Sequence, residues 1–565
     1  MQDRSPSQGP ELTFRAVLSG VLLGVVFAIG NVYVGLKTGI SDNATVTSAI
    51  LGFALCRSLA KRSYSPLENN ITQTVSSSAA TMPAAMGFLG SFPALTMLGH
   101  QYPSWVLLGW GGSLGLLGIA LALPLHAHFL SDESLRFPDA VATAEVIQAM
   151  HESGARAVAR AKSLLAGVGA SAAIAWLREG KPTIVPGMTY LPLTVRGVAA
   201  APLSLGIIFS PLLFSMGMLM GPRTGLGLFI GGIVGGAGLG SWLIAEHVVV
   251  EASSGAVRAW LMWPGAALMI SGVFTSFALD WRLLSRSIGD VRALGSAFAG
   301  RALLTPAALA LGVVLVGWLG FEVNPVLVVV ALVVSLVTGV VIARSIGETA
   351  AMPLGTLGRL TQLVLAPMTP TSGASIVAAS IPAGSGAQTG QTLETLKVGQ
   401  KLGASPKNQI LAQIIGALVG TPFAVGAYAM LTSAYPVGGA DLPAPTATPW
   451  KVLAELIGQG TASIPLHAGT ASLVAAALGV SLTLLERTRA ARFMPSVFAM
   501  GLAFVLGAAP AFTMAAGALV HAILKRLYPA FTREYAQSFA AGGLVGEAFV
   551  GILVATLLVT HVLGG

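Results

Sequence analysis

Charge is the first thing this chain is short of: Asp, Glu, Lys and Arg make up 9% of it, where a soluble domain carries roughly 25%. That scarcity excludes an ordinary water-facing surface. Cysteine is nearly absent as well. The single Cys56 excludes an intrachain disulfide and a thiolate metal cluster. Its neighbours Arg57, Lys61 and Arg62 place it at a helix end, in a packing role. No His-Glu-x-x-His occurs, and His126 and His128 are the only close histidine pair, which a helix end at a membrane surface explains as well as a metal does. The Gly30 to Thr38 run nearly spells a phosphate-binding loop, but Leu36 separates the glycine from Lys37 and there is no soluble β-α context, so the run argues against ATP binding.

Apolar residues are abundant. They form 54% of the 565 residues, with 69 glycines and 31 prolines, and the mean hydropathy is +0.79. Such a chain supplies about 14 spans (roughly 12–16) of ~20 residues each, many of them closely packed or broken. The expected fold is therefore all-α: a polytopic membrane protein with broken or re-entrant helices. The net charge of +9 does not signal nucleic acid. The basic residues fall in short clusters between apolar runs (Arg57 to Arg62, Arg156 to Lys162, Arg282 to Arg301, Arg487 to Arg492, Lys525 to Arg533), as cytoplasmic loops do. Arg4, Arg15 and the Arg57 cluster flank the first apolar hairpin, which predicts a cytoplasmic N-terminus in a multi-pass cell-membrane protein. Met1 to Glu11 has no signal-peptide pattern.

Two halves, 1–300 and 301–565, are expected from an internal echo. Thr143-Ala144-Glu145 with Gly154-Ala155 and Gly167 recurs at a constant offset as Thr392-Leu393-Glu394 with Gly403-Ala404 and Gly416. A looser echo matches Pro202-Leu203-Ser204 with Pro495-Ser496-Val497. Repeats of this kind put a transporter's substrate site at their interface.

Polar residues inside apolar runs carry the functional argument. Glu68-Asn69-Asn70-Ile71-Thr72-Gln73-Thr74-Val75-Ser76-Ser77-Ser78 places a carboxylate, carboxamides and hydroxyls at membrane depth. Asn31, Tyr33 and Lys37 interrupt the preceding run. Ionisable groups in a bilayer are costly and mark solute or ion paths. Asp42, Glu68, Glu348 and Glu547 are the acids without an obvious exit to water. Glu68 and Glu348 are the proton-coupling candidates, because burial raises a carboxyl pKa; the plainer alternative is an ion pair with Lys37 or Arg344. Between Arg359 and Glu394 the chain is uncharged, hydroxyl-rich and full of Pro and Gly, the composition of a broken helix lining a cavity or of an extramembrane loop.

Asn31-x-Tyr33-x-Gly35-Leu36-Lys37-x-Gly39 and Glu68-Asn69-Asn70-x-x-Gln73-Thr74 resemble the paired N-terminal signatures of the oligopeptide transporter family, which includes the yellow stripe-like branch. Gly221-Pro222-Arg223, Gly347-Glu348, Pro353-Leu354-Gly355, Leu360-Thr361-Gln362, Leu396-Lys397-Val398-Gly399, Gln413-Ile414-Ile415-Gly416, Phe493-Met494-Pro495-Ser496 and Gly543 to Ala548 continue the match in order. The resemblance implies a proton-coupled α-helical secondary transporter of two related halves, often dimeric, with short peptides or metal complexes of amino-acid-like chelators as substrates. Where the family's bacterial members carry acids before the Leu-Lys-x-Gly motif, this chain has Gln391 and Thr395; only Glu394 is acidic.

The resulting expectation is proton-driven symport of small peptides or peptide-like chelates by alternating access. Asn31, Tyr33, Lys37, Asn69, Asn70 and Gln73 line the first half of the path, and Gln362, Thr371, Ser372 and Gln388 the second. Lys37 holds a solute carboxylate; Glu68 or Glu348 binds an ammonium group or carries the proton. No cofactor, resident metal or catalytic residue is expected. A passive channel is the first rival, separated by whether the polar path is occluded or a continuous pore. An intramembrane enzyme is the second, and it lacks a nucleophile–base constellation.

Overall fold

Glycines and back-bonding hydroxyls set how closely the helices of this protein approach. The structure, a computed structural model, describes residues 10–39, 43–59, 64–131, 135, 137–152, 154–179, 183–249, 251–279, 304–349, 352–369, 371–460, 464–488 and 494–559. Asp42 lies outside them, as does the side chain of Glu348. Among the described residues nine helices are long and apolar enough to cross a membrane, and four shorter apolar helices accompany them. The strands are four short ones in the 188–208 region, paired antiparallel as β1 (Met188–Tyr190) with β4 (Gly206–Ile208) and β2 (Thr194–Val195) with β3 (Val198–Ala199).

The chain forms two compact units, each drawn from both sides of residue 300. The first comprises residues 1–35, 40–161 and 281–429; the second comprises 36–39, 162–280 and 430–565. In the first unit α1 (Phe14–Thr38), α2 (Thr45–Leu59), α3 (Pro66–Ala85), α4 (Ser91–Met97), α5 (Ser104–Ser131) and α6 (Pro138–Glu152) come from the early sequence. α7 (Gly154–Glu179) begins there and continues into the second unit. The second unit then contributes α8 (Pro211–Met220), α9 (Pro222–Gly232), α10 (Ser241–Ala245) and α11 (Ser254–Leu279). The first resumes with α12 (Leu304–Phe321), α13 (Pro325–Thr349), α14 (Leu354–Leu365), α15 (Ser372–Leu402) and most of α16 (Pro406–Ala434). α17 (Ala447–Gln459), α18 (Ala468–Leu485), α19 (Val497–Leu506), α20 (Ala508–Leu527) and α21 (Gln537–Val559) complete the second unit.

The centre of the first unit is polar. α3 and α15 pack on each other and are enclosed by α2, α5, α6, α13 and α14. Nearly every residue of both is buried, Ser, Thr, Asn and Gln included. α15 is 31 residues long, about 46 Å at 1.5 Å per residue. The uncharged Pro/Gly stretch after Arg359 is thus mostly one continuous helix running through Pro382; the break falls earlier, between α14 and Ser372. Its hydroxyls explain why: Ser385 donates to the Ile381 carbonyl, Thr389 to Ser385 and Thr392 to Gln388, so the polar side chains are spent on the helix's own turns. An apolar contact of Ala16, Ile71, Val75 and Ala412 ties α1, α3 and α16 together.

In the second unit two helices break in the same way. α8 is capped by Ser210 and ends at Gly221 (φ 84°, ψ 169°), where α9 starts. α19 is capped by Ser496 and ends at Gly507 (φ 91°, ψ 168°), where α20 starts. A side chain at that positive φ is strained, so glycine is required at both breaks. Ser210 to Gly221 and Ser496 to Gly507 are equal spans, so Ser496 matches Ser210; the looser echo of Pro202-Leu203-Ser204 with Pro495-Ser496-Val497 runs in another register and sets Ser496 against Leu203. The firmer echo has a shared task. A methyl on Gly167 would fall on the Phe539 carbonyl, and one on Gly416 would fall on that of Val75.

α8 and α20 cross through reciprocal glycines: a Cβ at Gly217 would strike the Met514 carbonyl, and one at Gly517 that of Phe214. Gly217→Ala is therefore expected to lower stability by about 1–3 kcal/mol through overpacking. Gly169, where a Cβ meets nothing within 4 Å, is the control. Gly169→Ala should leave thermal unfolding in detergent unchanged or slightly raised, since alanine is the better helix former.

Candidate functional site

Ser65 starts the polar helix. Its Oγ accepts the Glu68 amide N–H at 3.1 Å, and its own N–H donates to Glu68 Oε2 at 3.0 Å. This capping box, with Pro66 at the first helical position, fixes the entry of α3. The Glu68 carboxylate does more than cap. Arg15 grips it with Nε at 2.7 Å and Nη2 at 2.6 Å, and Thr13 Oγ1 donates at 2.6 Å. Arg15 also lies over the Tyr64 ring at 5.6 Å. Glu68 is completely buried while the Arg15 side chain is 31% exposed, so the ion pair sits at the rim of the unit. Its partner is Arg15, where the sequence reading had offered Lys37.

Beyond this ion pair α3, α15 and α16 meet in a seam of carboxamides and hydroxyls, and α15 also buries Glu394 and Lys397. Gln388 Nε2 donates to Ser78 Oγ at 2.7 Å and to Gln413 Oε1 at 3.3 Å. Ser78 Oγ donates to the Gln413 carbonyl at 2.7 Å, Gln413 Nε2 to Thr395 Oγ1, and Gln409 Nε2 to the Thr395 carbonyl at 2.8 Å. A chain of carboxamides and hydroxyls thus joins α3, α15 and α16. The helices α3 and α15 run antiparallel here, since Gly384 meets the Ala85 carbonyl and Gln388 meets Ser78.

Several of these amides are not fully used. Both polar atoms of Asn69, Asn70 and Gln391, and the oxygens of Gln73, Gln388 and Gln409, have no hydrogen-bond partner among the described residues. All six residues are at most 1% exposed. Buried polar atoms are ordinarily paired, and each orphan costs about 1–3 kcal/mol. A concentration of neutral, two-way amides can pair with peptide-like donors and acceptors without imposing a charge.

The other sequence candidates fall apart from this seam. Asn31 Nδ2 donates to the Ala80 carbonyl at 2.8 Å, one turn before Pro83 opens the α3 ladder. Tyr33 is buried and Lys37 half-buried, the latter among the residues of the second unit. Gln362 Nε2 donates to Ser375 Oγ at 3.2 Å. Thr371 caps α15, its Oγ1 accepting from the Ala374 N–H at 3.2 Å, and the Ser372 carbonyl accepts from Ser375. Thr371 and Ser372 are therefore about 25 Å along α15 from Gln388. Arg344 lies 6.0 Å from the Phe129 ring. Gln391, Thr395, Gln409 and Gln413 belong to the seam without having been singled out as lining residues. Their signal was in the sequence: glutamines inside apolar or hydroxyl-rich runs.

The second unit buries its own acid. Glu547, 0% exposed, accepts from Arg178 Nη2 at 2.9 Å, Ser210 Oγ at 2.9 Å and the Leu212 N–H at 2.8 Å. Arg178 also donates to the Phe209 carbonyl at 2.9 Å and to Glu179. These bonds hold α7, α8 and α21 together, and every atom of the carboxylate is engaged.

The model of the family described as OPT oligopeptide transporter protein matches residues 11–289 and 298–558. Among similar proteins, a putative oligopeptide transporter of Haemophilus influenzae is 24% identical, the match covering 94% of this chain and 93% of the relative. A putative oligopeptide transporter of Saccharomyces cerevisiae is 21% identical over 85% of each chain. A probable metal-nicotianamine transporter of rice (Oryza sativa subsp. japonica) is 23% identical, covering 96% of this chain and 90% of its own. With a family match along almost its entire length and buried polar helices at the centre of an apolar bundle, this chain belongs to the oligopeptide transporter family.

Proposed function

We propose that the protein is a secondary active transporter that moves short peptides or peptide-like metal chelates by proton-coupled symport and alternating access. The observation that carries this reading is the set of buried amides on α3 and α15, Asn69, Asn70, Gln73, Gln388 and Gln391, whose unused atoms match the donors and acceptors of a peptide backbone. Their enclosure favours an occluding carrier over an open channel, because a water-filled pore would leave such groups exposed. Relatives named as transporters of oligopeptides and of metal-nicotianamine complexes support the substrate class. In this reading the solute brings its own metal, and the protein binds the organic shell. Glu68 takes up the proton when its pair with Arg15 opens, and Glu348 is the second proton site. The N-terminus faces the cytoplasm, and the working form is a homodimer.

In proteoliposomes an inwardly directed pH gradient is expected to drive accumulation of a tripeptide or a metal–nicotianamine complex above the external concentration, and a protonophore should abolish it. Accumulation sustained by sodium or ATP alone would refute the coupling. Equilibration without accumulation would favour the channel.

A further inference from the structure

Arg359 is 4% exposed, on α14. Its Nε has no hydrogen-bond partner, and no carboxylate among the described residues pairs with its guanidinium. Two other buried cations here are met by acceptors. Arg178 has Glu547 and the Phe209 carbonyl, and Lys397 donates to the Leu130 carbonyl at 2.9 Å. An uncompensated buried charge is among the costliest features a fold can keep, and within a membrane bundle it is a mark of function.

The guanidinium lies over a glycine of its own helix. The Arg359 side chain folds back along its own helix, as helical side chains do. A Cβ at Gly355 would stand 3.3 Å from both Nη atoms, so glycine one turn earlier lets the guanidinium lie against the helix. The position is set by two contacts of the α14–α15 pair: Gln362 donates to Ser375, and Leu354 lies against Gly386. The two helices are antiparallel, and the Gly355–Arg359 turn lies beside the middle of α15, at the small-residue run Gly384-Ser385-Gly386. The neighbouring side chains on α14, Thr356 and Gln362, are neutral.

We propose that Arg359 is the anion-recognition group of the transported solute, holding a free carboxylate of a peptide or an amino-acid-like chelator. The planar guanidinium fork matches a carboxylate bidentately, and a solute carboxylate supplies a countercharge that none of the described residues gives. This rests on the transport reading above, and deepens it by requiring an unblocked carboxylate. Uncharged solutes are not accommodated in the same way.

The test uses purified full-length protein with three probes: trialanine, trialanine C-terminal amide and a nickel–nicotianamine complex. At least one carboxylate-bearing probe should raise the thermal unfolding temperature of the wild type, and the amide should not. Arg359→Met should unfold at a higher temperature than the wild type without probe, since an unpaired buried charge is gone. Its apparent affinity for the active probe should fall roughly 10- to 100-fold, the range set by charged hydrogen bonds, with Arg359→Lys in between. A wild type that neither carboxylate probe stabilises, stabilisation that survives in Arg359→Met, or an amide as effective as the free peptide would each overturn the assignment. Uptake of the same probes into proteoliposomes is read separately. Failure of the wild type to transport either carboxylate probe refutes the transport reading, while the unfolding shifts still decide the role of Arg359.

Discussion

Glu547→Ala is expected to destabilise the protein by about 3–5 kcal/mol. The carboxylate is fully buried and takes hydrogen bonds from Arg178, Ser210 and the Leu212 N–H. Removing it strands a guanidinium whose side chain is 6% exposed. Breaking a buried pair from one side costs roughly 3–5 kcal/mol, a large share of the 5–15 kcal/mol that a domain typically has. Size-exclusion profiles and thermal unfolding in detergent read the loss directly. Arg178 keeps its bond to the Phe209 carbonyl and its pair with Glu179, which places the cost toward the lower end. The double change Arg178→Met with Glu547→Leu should recover much of the stability, because it removes both charges and fills the space with apolar atoms. A single variant as stable as the wild type would show that the pair contributes nothing.

Glu68→Gln is expected to do most of its damage to transport. The Arg15 partner is 31% exposed, so solvent screens the lost attraction and the destabilisation should be only about 1–2 kcal/mol. Glutamine keeps the capping contacts with Ser65 and a hydrogen bond to Arg15 or Thr13, but it cannot cycle a proton. Accumulation against a gradient should fall at least tenfold (~1.4 kcal/mol of driving force), while exchange of labelled for unlabelled solute persists. If the pair is only a strut between α1 and α3, accumulation and exchange should decline together, in proportion to folded protein. A stable Glu68→Gln variant that still accumulates solute would remove Glu68 from the proton path and leave Glu348.

The sequence made the membrane class and the polar helix around Glu68 legible, because scarce charge and clustered amides stand out against an apolar background. It did not reveal the continuity of α15. Proline and glycine composition reads as breakage, whereas Ser385, Thr389 and Thr392 bond back to their own helix and Gly384 and Gly386 allow close approach. The partner of Glu68 was missed for another reason: Arg15 is far away in sequence and reads as a loop-side basic residue at the start of an apolar run. In sequence Arg359 reads as the edge of an uncharged stretch. What distinguishes it is the lack of a partner for its Nε among the described residues, which appears only when the helices are packed. The twin breaks at Gly221 and Gly507 were partly visible in Gly221-Pro222-Arg223, but their equivalence lies in backbone angles, on which two dissimilar local sequences converge.

The seam of α3 and α15 also sets a timetable for biogenesis. Gln388 meets Ser78 across 310 residues of chain. At roughly 5–20 residues per second of synthesis, α3 leaves the ribosome some tens of seconds before the helix that completes its hydrogen bonds exists. Its asparagines, glutamine and serines are poor passengers in lipid by themselves. The nascent protein must therefore shelter α3 against its early neighbours or an insertion factor until the later helices arrive. Depletion of that assistance would strand the amino-terminal polar helix first, well before the apolar spans around it.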